Sequence, residues 1–140
     1  NDILQITQRA DALSALLSSA DGQNLLAGYK RGANILAAEE KKDGTSYPGT
    51  VDQDALKLPE ETALAFAVDA VHAAVSAHVA KDDYKGAMGE LASLRAPVDA
   101  FFTQVLVNDA DPVVRANRLN LLARLRDTMH LVADFSKVAG

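Results

Sequence analysis

The sequence predicts an all-α fold, a helical bundle of about five to six helices, on three observations. Apolar residues recur at three- and four-residue spacing through most of the chain, the period of a helix that buries one face. The interruptions carry aspartate, glycine or proline, which begin and end helices. The alternation typical of a half-buried strand is missing from the sequence. With 140 residues and 49% hydrophobic content, the chain is expected to form a single domain over residues 1–140.

The first two helices are predicted on either side of a short break. Apolar residues at helical spacing cover 2–19, and a second set runs from Leu25 to about Lys42. The break at Asp21-Gly22 supplies a candidate N-cap for the second helix. The following stretch, 43–58, contains two glycines and a proline and lacks helical periodicity, so it is interpreted as a long exposed loop.

The third and fourth helices are predicted from their start signals. Pro59 followed by two glutamates fits a first helical turn, where proline is tolerated and acids meet the positive end of the helix dipole. This helix is expected to continue through an alanine-rich run to about Ala80. Asp82 or Asp83 then caps a fourth helix over 84–95.

The last two helices are predicted around prolines. Pro97 should break or kink the fourth helix ahead of a short fifth helix that reaches Val105. After a turn, Asp111-Pro112 combines a cap with a proline at the first helical position. The leucine-rich helix that begins there is expected to extend to Phe135.

Composition excludes several kinds of function. The chain carries 14 Lys and Arg against 19 Asp and Glu, a net charge of −5, which argues against nucleic-acid binding by bulk electrostatics. Aromatics amount to 5% and tryptophan is missing, so an extended base-stacking platform is not expected. Any contact with nucleic acid should therefore be local.

Catalytic chemistry is not predicted. The chain has no cysteine, no glycine-rich phosphate loop and no nucleophile elbow. Two of its three histidines, His72 and His78, lie six residues apart on different faces of a helix, so they do not form a metal-ligand pair. We expect no catalytic residue, no metal and no cofactor. No signal peptide or membrane span is expected either, and the chain, which starts without methionine, is interpreted as a piece of a longer protein.

A compact polar face on the predicted second helix is the first candidate binding surface. Lys30, Arg31 and Asn34 fall within roughly 100° of arc, opposite the apolar stripe that contains Tyr29. Arginine and asparagine offer paired hydrogen-bond donors for phosphates and base edges, and lysine adds a point charge. A solvated helix face without a ligand is the alternative interpretation.

The predicted last helix carries the second candidate surface. Arg115 and Arg126 lie at the edge of its apolar arc and are candidates for phosphate contacts. Arg118 falls inside that arc, so its guanidinium is expected to be partly buried and to need a carboxylate partner. Asp99, on the preceding short helix, is the predicted partner, and the pair Asp99–Arg118 is predicted to brace the helices.

Several short motifs in the chain are distinctive when taken together. Two lie in the predicted second helix, and the more specific ones lie in the second half of the chain. They are Tyr29-Lys30-Arg31, Asn34-Ile35-Leu36, Leu94-Arg95, Pro97-Val98-Asp99, Phe101-Phe102, Arg115-Ala116-Asn117-Arg118-Leu119 and Val132-Ala133-Asp134-Phe135-Ser136. In these segments the sequence is similar to the closing region of bacterial glycyl-tRNA synthetase β subunits, which holds their C-terminal anticodon-binding domain.

The resemblance implies a fold, a ligand and partners. It implies a bundle related to the anticodon-binding domain of arginyl-tRNA synthetase, which holds the anticodon arm of the glycine tRNA without acting on DNA or membranes. It also implies a cytoplasmic α/β heterotetramer in which the separate α subunit carries the adenylation site, so ATP and magnesium serve the whole enzyme. Asn117 joins the predicted RNA contacts on this basis. The alternative function is a helical protein–protein interaction module without RNA contact, which the net acidity favours.

Overall fold

The computed structural model describes residues 2–138, which form six α-helices and two short 3-10 turns. No strand occurs in this part of the chain, so the predicted all-α bundle is confirmed. The helices are α1 (Asp2–Ser18), α2 (Ala20–Asp43), α3 (Pro59–Ala80), α4 (Tyr84–Ala92), α5 (Arg95–Gln104) and α6 (Pro112–His130), and the 3-10 turns are Gln53–Ala55 and Phe135–Lys137.

One core joins the helices. α1 packs on α2 and α4, α2 packs on α5 and α6, and α3 packs on α4, α5 and α6. Large apolar side chains from five of the helices and from the C-terminal turn fill the space between them and are no more than 2% exposed: Leu25, Leu36, Leu64, Leu91, Phe101, Leu119, Leu125 and Phe135. Burial at this density is the main favourable contribution to folding.

The caps of α4 and α6 follow the sequence prediction. The Asp83 side chain accepts a hydrogen bond from the Gly86 amide at the start of α4, and Asp111 does the same for Val113 in α6. Pro112 occupies the first turn of α6, where the missing amide proton costs nothing because it would have had no partner inside the helix.

Three predicted boundaries were wrong. α2 begins at Ala20, because the Ser19 hydroxyl rather than Asp21-Gly22 supplies its N-cap. α5 begins at Arg95, so Pro97 lies in its first turn, where it does not break a hydrogen bond. α6 ends at His130 instead of Phe135, and the turn that follows brings the Phe135 ring into the core at 1% exposure.

Two glycines let α2 approach its neighbours closely. A Cβ atom on Gly28 would lie 2.6 Å from the Val98 side chain of α5. A Cβ on Gly32 would lie 3.3 Å from Leu122 of α6 and 3.5 Å from the Phe102 ring. Glycine inside a helix costs about 1 kcal/mol relative to alanine; the contact it permits between α2 and α5 accounts for its presence here.

α3 stands out by composition. By length and composition alone it could cross a membrane: it has 22 residues, and its most apolar 18-residue window has a mean hydropathy of 1.5. One of its faces belongs to the core, where Leu64, Val68 and Val75 are fully buried. The helix is therefore an integral part of the bundle.

Candidate nucleic-acid interface

The exposed edge between α2 and α5 brings together the first group of predicted contact residues. Arg31 and Asn34 are both exposed on α2. The Arg31 guanidinium carbon lies 4.8 Å from the centroid of the Phe102 ring of α5, within the range of a cation–π contact. A cation and an aromatic face are thus presented to solvent side by side, with an amide one turn further along α2.

A shallow groove runs along this edge, with a volume of about 430 Å³. Its charged groups are Arg31 and Asp99. Asp99 accepts a hydrogen bond from Arg95 at 3.0 Å, and Arg95 also meets Asp21 at 2.7 Å. The remaining lining residues are small, polar or aromatic: Asn24, Ala27, Gly28, Phe102 and Thr103.

Phe102 was not among the predicted contact residues. The sequence shows only two adjacent phenylalanines whose rings cannot face one direction. In the structure Phe101 is fully buried, whereas Phe102 is half-buried and packs edge-on against it with ring centroids 5.4 Å apart. The adjacency of two aromatics on a short helix is the signal that marks one of them as a surface residue.

Lys30 points toward the C-terminal segment. Its ammonium group donates a hydrogen bond to the Val138 carbonyl, and the side chain is half-buried. Tyr29, next to it, is 2% exposed and its hydroxyl meets His130 Nε2 at 2.7 Å. Burial, together with the nearby Asp134 carboxylate, raises the pKa of Tyr29. The interpretation of Tyr29 as a core residue is confirmed.

Arg115 is engaged by a cluster of acceptors. Its Nη2 lies 2.9 Å from Glu39 and 2.8 Å from Asp43, and its Nε donates to Asn108 at 3.0 Å. The hydrogen bond from Arg115 lowers the pKa of Glu39, and hydrogen bonds from Tyr47 and then Arg115 lower that of Asp43. With 19% of its side chain exposed, Arg115 has little of its guanidinium left for a phosphate, and the predicted phosphate contact stays a prediction.

Asn117 is also structural. It is 4% exposed; its amide oxygen accepts from the Asp52 backbone N–H at 2.7 Å and its amide nitrogen donates to the Asp52 carbonyl at 3.0 Å. Asn120, one turn later, accepts from the Gly49 amide at 3.0 Å. These bonds leave little of Asn117 for an RNA contact, which stays a prediction. Most of the stretch 44–58 is exposed, as predicted, and the bonds to Asn117 and Asn120 fasten it along α6.

Arg118 is buried as predicted, at 4% exposure, but its predicted partner was wrong. Its Nε and Nη2 donate to the two carboxylate oxygens of Glu61 at 2.9 and 3.1 Å, and Nη1 meets Asp109 at 3.3 Å. Asp99 pairs with Arg95 instead. Glu61, in the first turn of α3, is fully buried and is the residue that sequence reasoning missed.

The Glu61 carboxylate also receives backbone hydrogen bonds. Its Oε2 accepts from the amides of Lys57 and Leu58 at 3.0 and 2.8 Å. Burial by itself would raise the pKa of Glu61, but the hydrogen bonds from Arg118 and the Leu58 amide outweigh it and the pKa is lowered. Glu61 is thus held in its charged form, joining the end of the loop, α3 and α6.

Arg126 lies apart from the other predicted contacts. It is 31% exposed at the side chain and pairs with the adjacent Asp127 at 3.0 Å. Of the predicted contact residues, Arg31 meets Phe102 and Asn34 is exposed one turn further along α2, while Lys30 and Arg126 lie elsewhere. In the described residues, 2–138, no group of three or more His, Cys, Asp or Glu is arranged to hold a metal ion.

This bundle, with a small basic and aromatic edge, belongs to the DALR anticodon-binding domain family, which matches residues 25–135. The whole chain is also similar to curated relatives named glycine–tRNA ligase beta subunit. It is 52% identical to the one from Rhodospirillum centenum, 53% to that from Phenylobacterium zucineum and 46% to that from a Ruegeria species. The matches cover the full chain but only 20%, 21% and 20% of these relatives, so the chain spans about a fifth of their length.

Proposed function

We propose that the chain is the tRNA anticodon-arm-binding domain of a glycine–tRNA ligase β subunit and meets the RNA through the edge between α2 and α5. The observation that carries the proposal is the Arg31 guanidinium 4.8 Å from the Phe102 ring centroid on an exposed edge. Family membership and the relatives' names support the identity of the ligand.

The chemistry of this edge suits an RNA loop. Sequence-specific RNA recognition uses unstacked bases that stack on aromatic rings or guanidinium planes and are read at their edges. Phe102 and Arg31 supply both kinds of surface, and Asn34 supplies an amide that can donate and accept. Lys30 and Arg126 remain predicted phosphate contacts at the periphery, where they would set register rather than read sequence.

The whole enzyme is proposed on the resemblance and on the relatives' names. In it, the α subunit carries ATP, magnesium and the adenylation site, and this domain contributes tRNA binding within a cytoplasmic α/β heterotetramer. The chain has a net charge of −5, so its binding should depend on a few contacts and draw affinity from other parts of the enzyme.

Binding of fluorescent glycine tRNA, measured by anisotropy at several salt concentrations, tests the proposal. Arg31→Ala should weaken binding about tenfold and reduce the salt slope by roughly 0.7 to 0.9, the contribution of one phosphate contact. Phe102→Leu keeps the apolar contact but removes the stacking face, which is worth about 1–3 kcal/mol per base. Arg124→Ala is the matched control, because Arg124 is a half-buried arginine of α6 that pairs with Asp69.

The same titration separates the alternative function. A protein–protein interaction module would bind glycine tRNA and a non-cognate tRNA equally weakly, and neither Arg31→Ala nor Phe102→Leu would change binding. The RNA-binding function is supported if the chain prefers the glycine tRNA, if Arg31→Ala and Phe102→Leu lose this preference, and if Arg124→Ala keeps it.

A further inference from the structure

α3 has a second apolar face that the bundle does not cover. Only 28% of its most apolar 18-residue window is buried, although an all-round hydrophobic helix is normally enclosed on every side. The buried side chains, among them Leu64, Val68 and Val75, account for one face. The other face is exposed.

The exposed apolar residues of α3 follow a heptad pattern. Their spacing alternates between three and four residues, the repeat of a helix that packs lengthwise along another helix. Phe66, 77% exposed, is the one large side chain among small ones. All six members are exposed, and together we call them the α3 stripe: Ala63, Phe66, Ala70, Ala73, Ala77 and Ala80.

The α3 stripe is almost free of charge. From Thr62 to Ala80, Asp69 is the only Asp, Glu, Lys or Arg, and it is neutralised by Arg124 at 3.0 Å. In the chain as a whole 24% of residues are charged. An exposed surface this long and this poor in charge is typical of a protein contact rather than of a solvated helix face.

We propose that the α3 stripe docks a helix from the remainder of the longer β subunit. The inference rests on the proposed function, because it takes the chain to be one domain of that subunit. The docked helix should carry an uncharged seam with small residues opposite Phe66, so that this ring enters a hole between them.

The geometry of the stripe sets how the two helices meet. Alanine side chains allow helix axes to approach to about 8 Å, and a heptad seam gives a crossing angle near 20°. Phe66 has an alanine on either side at the same face, Ala63 and Ala70. The ring is therefore the single knob that fixes the register of the partner helix.

Two observations favour the longer subunit over other occupants. The curated relatives are about five times as long as the chain, and a covalently linked partner binds at a high effective concentration, so a modest apolar stripe is enough. A second copy would have to form a stable contact through one alanine-rich face while each copy carries a net charge of −5. A helix of the same subunit needs neither a large contact area nor a contact between two chains of equal negative charge.

Cysteine labelling tests the proposal directly, because the chain contains no cysteine. Ala73→Cys is introduced into the 140-residue chain and into the full-length β subunit, and maleimide labelling of its peptide is followed by mass spectrometry. Labelling should be about tenfold or more slower in the full-length subunit, since the thiol reacts only when the docked helix opens. Ala100→Cys, exposed on α5, is the control and should label at similar rates in both. Equal rates for Ala73→Cys would overturn the proposal.

A second pair of variants identifies the contact. Phe66→Glu in the full-length subunit should restore fast labelling at Ala73→Cys, whereas Leu106→Glu, which replaces a side chain that is 72% exposed, should not. Neither change should lower the melting temperature of the 140-residue chain. Unaltered slow labelling in Phe66→Glu would contradict the docking geometry.

The other occupants give different results. If sedimentation velocity shows a dimer of the 140-residue chain that Phe66→Glu abolishes, the occupant is a second copy. If the chain co-sediments with phosphatidylcholine–phosphatidylglycerol vesicles, the occupant is a membrane. Either result would overturn the inference. Binding of glycine tRNA by the same proteins is measured separately. Loss of the proposed RNA function with α3 still protected is therefore distinguishable from failure of the docking proposal.

Discussion

Arg31 and Arg118 are both arginines on neighbouring helices, yet one is exposed and the other is buried. Arg118 is 4% exposed and donates hydrogen bonds to Glu61, Asp109 and the Leu106 carbonyl. Arg31 is exposed and lies over the Phe102 ring. The number of nearby carboxylates explains the difference. Arg118 on α6 meets Glu61 in the first turn of α3 and Asp109 in the preceding loop, whereas the groove beside Arg31 is lined by one carboxylate, Asp99, which already pairs with Arg95.

The largest effect on stability is expected from a change at the buried residue, Arg118. Arg118→Ala leaves the Glu61 carboxylate fully buried without its main partner, and breaking a buried pair in this way costs about 3–5 kcal/mol. Urea denaturation should show a correspondingly lower unfolding free energy. The double variant Glu61→Leu with Arg118→Met removes both charges and should be less destabilised than Arg118→Ala. Equal losses would mean that the ion pair is not the cause.

Packing under the exposed arginine should give the next largest effect. Gly28→Ala places a Cβ 2.6 Å from the Val98 side chain, so α2 and α5 must separate or Val98 must move, at a cost of about 1–3 kcal/mol. Thermal melting measures this loss. Gly89→Ala is the matched control, because a Cβ there meets nothing within 4 Å and should be neutral or stabilising.

Acid should weaken the region around Glu61. Its folded pKa is lowered, so its contribution to stability is complete above the unfolded pKa near 4.3 and disappears as pH falls through the folded value. The urea midpoint should therefore decline from about pH 5 downward. Glu61→Gln should be less stable at pH 7 and show a flatter pH dependence below pH 5. An unchanged slope would exclude Glu61 as the titrating group.

The smallest effect is expected for Arg115 on RNA binding. Its hydrogen bonds to Glu39 and Asp43 leave little of the guanidinium for a phosphate. Arg115→Ala should leave the salt slope of tRNA binding unchanged, in contrast to Arg31→Ala, while it loosens the 44–58 loop. A reduced slope in the same anisotropy assay would instead show that Arg115 contacts the RNA.

Local signals in the sequence predict much of this fold. The caps at Asp83 and Asp111 were correct because an N-cap acts within three residues of chain. The burial of Arg118 followed from helical periodicity, which is also local. Its partner did not: Glu61 lies 57 residues away, and only the packing of α3 against α6 brings the two side chains together.

The candidate site was predicted less completely, for a similar reason. Periodicity places Arg31 and Asn34 on one face of α2 but does not show which side chain of α5 meets Arg31. Phe102 arrives there because Gly28 and Gly32 let the helices approach, a contact that depends on tertiary packing. Asn117 satisfies the backbone of the 44–58 loop, a role that a helix pattern alone does not reveal.

The three-way role of Glu61 has a consequence for proteolysis. One carboxylate holds the Lys57 and Leu58 amides at the end of the loop and Arg118 in the middle of α6. Proteases need several residues of extended, detached chain, and loop tips normally provide them. Here that loop cannot detach at its α3 end without exposing a buried ion pair. We therefore expect the rate of cleavage within 44–58 to be proportional to the fraction of chains that are globally unfolded. This loop should then resist proteases as well as the helices do.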